Sequence, residues 1–168
     1  MAKPYLKNYT NESKFPSIEE QLYNYSLFLS EIMSEMIDSI GGVVIMVSDQ
    51  AQAVKFYAEK MGFDIRVNVP FYGGKWIEVA PKDSESTLSI MEPNPHMMSP
   101  EETELAKKNI GKNTGVWFYT SNIKSTYEEL KSKGVDISAP QKQEWGGVMS
   151  LVKDLDGNIF TLLSSPEG

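Results

Sequence analysis

The chain has no cysteine, a single histidine (His96) and a single arginine (Arg66) among its 168 residues. Without cysteine there is no disulfide, no thiolate metal ligand and no thiol nucleophile. The one histidine sits in the loop-like stretch "NPHMMSP", which leaves neither a Ser-His-Asp triad nor a histidine-based metal cluster to argue for. The scarcity of arginine accompanies a net charge of −7. That balance is wrong for neutralising phosphates, so no nucleic-acid partner is expected. No run reaches the ~18–20 apolar residues that span a bilayer, and "MAKPYLKNYTNESK" shows no charged-then-apolar leader. No membrane partner is therefore expected, and the expected location is cytoplasmic. A glycine-rich phosphate loop is also missing.

What is present suits one compact globular unit: 40% of residues are apolar and 11% aromatic. Residues 1–38 read as an N-terminal helical extension. Ser17 and Glu20 have capping-box spacing, and Ile18, Leu22, Tyr25, Leu29, Ile32 and Met36 alternate steps of four and three, which makes one apolar stripe. Such a stripe must be buried, either on its own domain or against a partner.

From residue 39 a pattern runs twice. "GGVVIMVS" is a β-branched strand, "SDQAQAVKFYAEKMGF" a helix closed by Gly62, and "DIRVNVP", "GGKWIEVAP" and "STLSIMEP" are three strands. After a connector at 92–111 with helical character from Ser99, "TGVWFYTS" restarts the pattern. "SNIKSTYEELKSKG" is its helix, and "VDISAPQ", "GGVMSLVKD" and "NIFTLLSS" are its strands. Gly42 and Gly115, Ser48 and Ser121, and Asp49 and Asn122 are each 73 positions apart, whereas Gly62 and Gly134 are 72 apart. The duplication predicts an α+β fold: two βαβββ modules forming a curved mixed β-sheet around a groove, with the helical extension added. Module one is 39–91, module two 112–168, and 39–168 is the domain they make.

"VSDQAQAVKFYAEKMGF", "TSNIKSTYEELKSKGV", "EWGG" and "KDLDGNIFTLL" resemble the vicinal oxygen chelate superfamily of glyoxalase I, bleomycin resistance protein and dioxygenases, over about residues 39–166. Where the family turn usually reads Asp-Pro-Asp-Gly-Asn, Leu155 replaces the proline. The resemblance implies a metal site built from a His or Gln on each module's first strand and a Glu or His on each last strand. Those positions map to Gly42 and Gly115, and to Ser89 and Thr161. Glycine has no side chain to donate, and hydroxyls are poor ligands for a catalytic divalent ion. Neither metal nor cofactor is therefore expected.

Strand alternation puts Val44 and Met46 beside Gly42, and Trp117 and Tyr119 beside Gly115, with Ser89 and Thr161 on the same faces. Trp76 and Glu78 add an indole and a carboxylate if they point the same way, and Trp145 lies in the loop leading to the next strand. An aromatic floor with one acid suits a flat organic or cationic molecule. Filling of a metal-free core is the plainer reading of Trp117 and Tyr119, packing of a hairpin that of Trp145, and solvation that of Glu78. Three functions follow. The first is a metal-independent small-molecule binding protein of the bleomycin-resistance type, homodimeric as the resemblance implies, which sequesters an organic or cationic compound. The second is an enzyme of the same superfamily with a non-standard site using Glu78 or Tyr119. The third is a partner-binding module that docks through the extension helix.

Overall fold

The computed structural model describes residues 17–32, 37 and 39–165. The chain divides into two compact units, Met1–Ser39 and Ile40–Gly168. In the first, α1 (Ile18–Ile32) starts with the expected reciprocal cap. The Ser17 N–H donates to Glu20 Oε2 and the Glu20 N–H to Ser17 Oγ, both at 3.2 Å. Ile18, Leu22 and Tyr25 of the stripe are exposed. The side chains of Leu29 and Ile32, and Met36 altogether, lie outside what is described.

The second unit contains the duplicated pattern. Module one runs β1 (Gly42–Met46), α2 (Gln50–Lys55), a π-helical turn (Phe56–Lys60), β2 (Asp64–Phe71), β3 (Gly74–Ala80) and β4 (Thr87–Met91). The connector carries α3 (Pro100–Asn109), and its helical character does begin at Ser99. There Ser99 and Glu102 form a full capping box. Module two runs β5 (Asn113–Tyr119), α4 (Ile123–Ser132), β6 (Asp136–Ile137), β7 (Gln141–Lys142), β8 (Val148–Lys153) and β9 (Ile159–Ser164).

The fold is α+β, as expected, and its strands form two mixed sheets, one per module. The orders are β1-β4-β3-β2 and β5-β9-β8-β6, with β7 also paired to β8. In each, the first strand runs parallel to the last and the others are antiparallel. α2, the π turn and α4 share a core with Ile45, Val47, Ile90, Val152 and Phe160 of the sheets. That core crosses the module boundary: Tyr57 packs edge-on to Phe160, and Phe63 edge-on to Phe118.

Two local expectations are corrected. "VDISAPQ" is not one strand but two short pieces, β6 and β7. Pro140 lies between them, and proline has no N–H for the ladder. The Ser138 hydroxyl also accepts from the Leu151 N–H at 2.9 Å, where a backbone carbonyl would otherwise serve. The helix of module one, expected to be uniform, widens into the π turn before Gly62.

Candidate functional site

The side of each sheet facing away from α2 and α4 is where the sequence places its candidate residues, and the strand registers show which of them meet. In module one, Val44 pairs with Ser89 and Ser89 with Glu78, so these three form a row across β1, β4 and β3. Met46 pairs with Met91, and by the same registers Trp76 lies opposite Met91 in the next row. The Trp76 indole donates to Glu78 Oε1 at 2.8 Å, and Phe71 meets Trp76 edge-on with ring centroids 5.3 Å apart. Five candidates, Val44, Met46, Trp76, Glu78 and Ser89, thus share one continuous face.

In module two, Trp117 pairs with Thr161 and Thr161 with Leu151, while Tyr119 pairs with Leu163 and Leu163 with Met149. Trp117, Tyr119 and Thr161 again lie together. They do not fill a core, because Trp117 is 59% and Tyr119 74% exposed. Trp145 lies in the β7–β8 turn, at the Tyr119 end of the sheet. A Cβ built on Gly147 would stand 1.7 Å from the Trp145 ring, so the indole lies directly on that glycine. Leu151 and Met149 were not singled out in the sequence. The alternation in "GGVMSLVKD" is the signal that finds them.

The matched glycines are not equivalent. Gly42 keeps ordinary strand register opposite Thr87, and a Cβ there would meet the Thr87 carbonyl oxygen at 2.7 Å. Gly115 has φ +70° and lies in a bulge, where Asn113 pairs with Ile159 but Trp117 with Thr161. The expected plain alternation of Gly115 with Trp117 is therefore corrected: four steps along β5 match two along β9. Open space surrounds the position, and its backbone conformation is what calls for glycine.

The family's metal does not fit this donor set. Two of the four mapped positions have no side chain, and Ser89 and Thr161 offer only hydroxyls. Among the described residues, no three His, Cys, Asp or Glu side chains converge as a metal cluster.

Where β1 and β5 approach, Val44, Met46, Asn113 and Thr114 border a cavity of about 320 Å³. The seam is held by a buried network. Tyr57 Oη donates to Asp154 Oδ2 at 2.8 Å, and the Asn158 N–H and side-chain amide donate to Asp154 at 2.9 and 2.8 Å. The same amide reaches the Met46 carbonyl at 3.0 Å. Ser48 donates its N–H and its hydroxyl to Asp156. Burial, with Asp154 alongside, pushes the Tyr57 phenol well above its ordinary range. "DLDGN" therefore joins the modules as well as turning the chain.

The sequence profile of the glyoxalase/bleomycin resistance protein/dioxygenase superfamily matches residues 39–162. The chain belongs to this superfamily. YetH of Bacillus subtilis (strain 168) is 37% identical over 129 residues, covering 76% of this chain and 98% of YetH. Among solved structures, UcmS2 superposes with a TM-score of 0.70 at 29% identity, over 77% of this chain and all of that one. TnmS3, described as an antibiotic binding protein from Streptomyces sp. CB03234, superposes with a TM-score of 0.63 at 27% identity, over 79% of this chain and 98% of its own. Among the described residues, no helix is long and apolar enough to cross a membrane.

Proposed function

We propose that the chain is a metal-independent binding protein that sequesters a small, flat organic molecule without converting it. The observation that carries this reading is the outward face itself. Trp117 and Tyr119 stand largely in water beside Thr161, and Trp76 with Val44 and Met46 forms an apolar counterpart on module one. Apolar and aromatic side chains gathered with a few polar groups are what a small-molecule site needs, and a soluble chain gains nothing by leaving such a surface bare. The antibiotic-binding description of TnmS3 supports the same reading.

A homodimer belongs to this proposal. Val44, Trp117, Tyr119 and Leu151 are all at least 40% exposed, and a second copy would turn that open surface into a lined groove. A cytoplasmic location, suggested by the absence of cysteine, goes with it. The test is tryptophan fluorescence under titration with planar polycyclic antibiotics, alongside sedimentation to read the oligomeric state. Saturable quenching that Trp117→Ala weakens about tenfold, the cost of about 1.4 kcal/mol of lost stacking, is the expected outcome. A panel that leaves emission unchanged at all concentrations would sink the proposal.

A further inference from the structure

Glu78 is a half-buried carboxylate in the middle of β3 with neutral residues on both sides, Ser89 across one strand pair and Val67 across the other. One oxygen accepts from the Trp76 indole at 2.8 Å. The ion pairs among the described residues are Arg66–Asp64, Lys107–Glu104, Lys133–Glu129 and Lys153–Asp136, and none involves Glu78. Its neighbour Ser89 is 4% exposed, and its hydroxyl has no hydrogen-bond partner among the described residues. Among the described residues the fully buried polar side-chain atom left without a partner is Ser150 Oγ, so Ser89 Oγ and the second oxygen of Glu78 are not sealed in the interior. An acid and a hydroxyl side by side, next to an indole on a binding face, point to a ligand.

We propose that Glu78, Ser89 and Trp76 form a recognition site for a cationic nitrogen, so that the sequestered molecule is an aromatic amine or amidine charged at neutral pH. This rests on the small-molecule reading above and names the chemical class of its ligand. The free oxygen of Glu78 takes a charge-assisted N–H bond, stronger here than in open water because its surroundings are apolar. Ser89 Oγ can accept a second N–H. The Trp76 indole, held in place by its own bond to Glu78, offers its face to the positive ring. Module two has no equivalent, because the residue paired with Thr161 there, as Glu78 is with Ser89, is Leu151.

A matched pair of probes tests it: 9-aminoacridine, a cation at neutral pH, and acridone, a neutral tricycle of similar outline. Both are titrated calorimetrically into the full chain. The wild type should bind the cation about tenfold more tightly, equivalent to about 1.4 kcal/mol. Glu78→Gln is isosteric and keeps an oxygen for the Trp76 indole, so it should preserve the fold, erase that preference and leave acridone binding unchanged. Ser89→Ala should weaken the cation alone, by a smaller factor. Glu128→Gln, which removes the same charge from an exposed helix site, controls for the overall −7 charge and should leave the preference intact. Equal wild-type affinities, or a preference that survives Glu78→Gln, would overturn the cation site and leave small-molecule binding standing. If neither probe binds, the cation site falls, and the antibiotic panel alone decides the small-molecule reading.

Discussion

Module one and module two differ by a single residue between helix start and closing glycine, and the structure shows where it goes. From Asp49 to Gly62 is one position more than from Asn122 to Gly134. In module two the helix ends in a Schellman arrangement, with the Val135 N–H on the Leu130 carbonyl and the Gly134 N–H on that of Lys131. In module one the corresponding Phe63 N–H reaches back to Tyr57, one residue further. The additional residue is absorbed by the π turn Phe56–Lys60, the usual form of a one-residue insertion in a helix. Tyr57 lies inside that turn and donates to Asp154 of the other module. Two near-copies thus became unequal partners, one supplying the tyrosine and the other the buried carboxylate.

The strongest way to break that inequality is to remove the acceptor. Asp154→Ala strands the Tyr57 hydroxyl and the backbone N–H groups of Asn158 and Asp156, and leaves the Asn158 side-chain amide only the Met46 carbonyl. At roughly 1–3 kcal/mol for each buried group left unpaired, a loss of about 3 kcal/mol or more is expected in urea unfolding. Asp136→Ala, at an exposed pair in the same module, should cost less than about 1 kcal/mol. Comparable losses for the two would refute the role given to the seam.

Next in size is an effect of alkali. A phenol whose pKa is raised on folding keeps its proton in the native chain, while the unfolded chain releases it above about pH 10. The native state then binds more protons, so the stability Tyr57 provides is complete below about pH 10 and declines above it. The slope is at most about 1.4 kcal/mol per pH unit. Tyr57→Phe removes this contribution, so the advantage of the wild type over the variant should shrink from pH 10 upward. Parallel stability curves for the two chains would show that the phenol is not held neutral by folding.

How far the sequence reaches can be judged at these same residues. The repeat, the cap at Ser17, the helix start near Ser99 and the strand faces are legible because period and hydrogen-bonding type are local properties. The change of offset from 73 to 72 is visible as well, but nothing local says that the insertion becomes a π turn, since Phe56 and Tyr57 find their places only against the other module. The same limit applies to Gly115. Aligned with Gly42, it reads as a missing ligand, and only the register with β9 reveals a bulge. The exposure of Trp117 and Tyr119 was equally hidden, because alternation assigns a face without saying what covers it.

The glycines allow a smaller test of the same asymmetry. Gly115 has open space and a left-handed backbone, so Gly115→Asn should be tolerated better than Gly115→Val, whose branched side chain adds to a penalty of about 1–2 kcal/mol. Gly42 is limited by the Thr87 carbonyl oxygen, so Gly42→Asn should be no milder than Gly42→Ala. Asparagine rescue at 115 and not at 42, read from thermal midpoints, is the expected pattern. Rescue at both would mean that one cause serves both modules.

The smallest expected effect is none at all. Metal-stripped protein titrated with nickel, zinc, manganese and ferrous iron should release no heat of stoichiometric binding, because the mapped positions carry two glycines and two hydroxyls and a divalent site needs imidazole or carboxylate donors. Glu78 is the one carboxylate paired directly with a mapped position, Ser89, so it is the residue through which this expectation could fail. Weak binding abolished by Glu78→Gln would place a single carboxylate on the ion, too few protein ligands for a catalytic centre. Tight one-to-one binding indifferent to Glu78 would show instead that the mapping of Gly42, Ser89, Gly115 and Thr161 is wrong. The two modules would then be equal partners in a chelate, and their asymmetry would be confined to the seam.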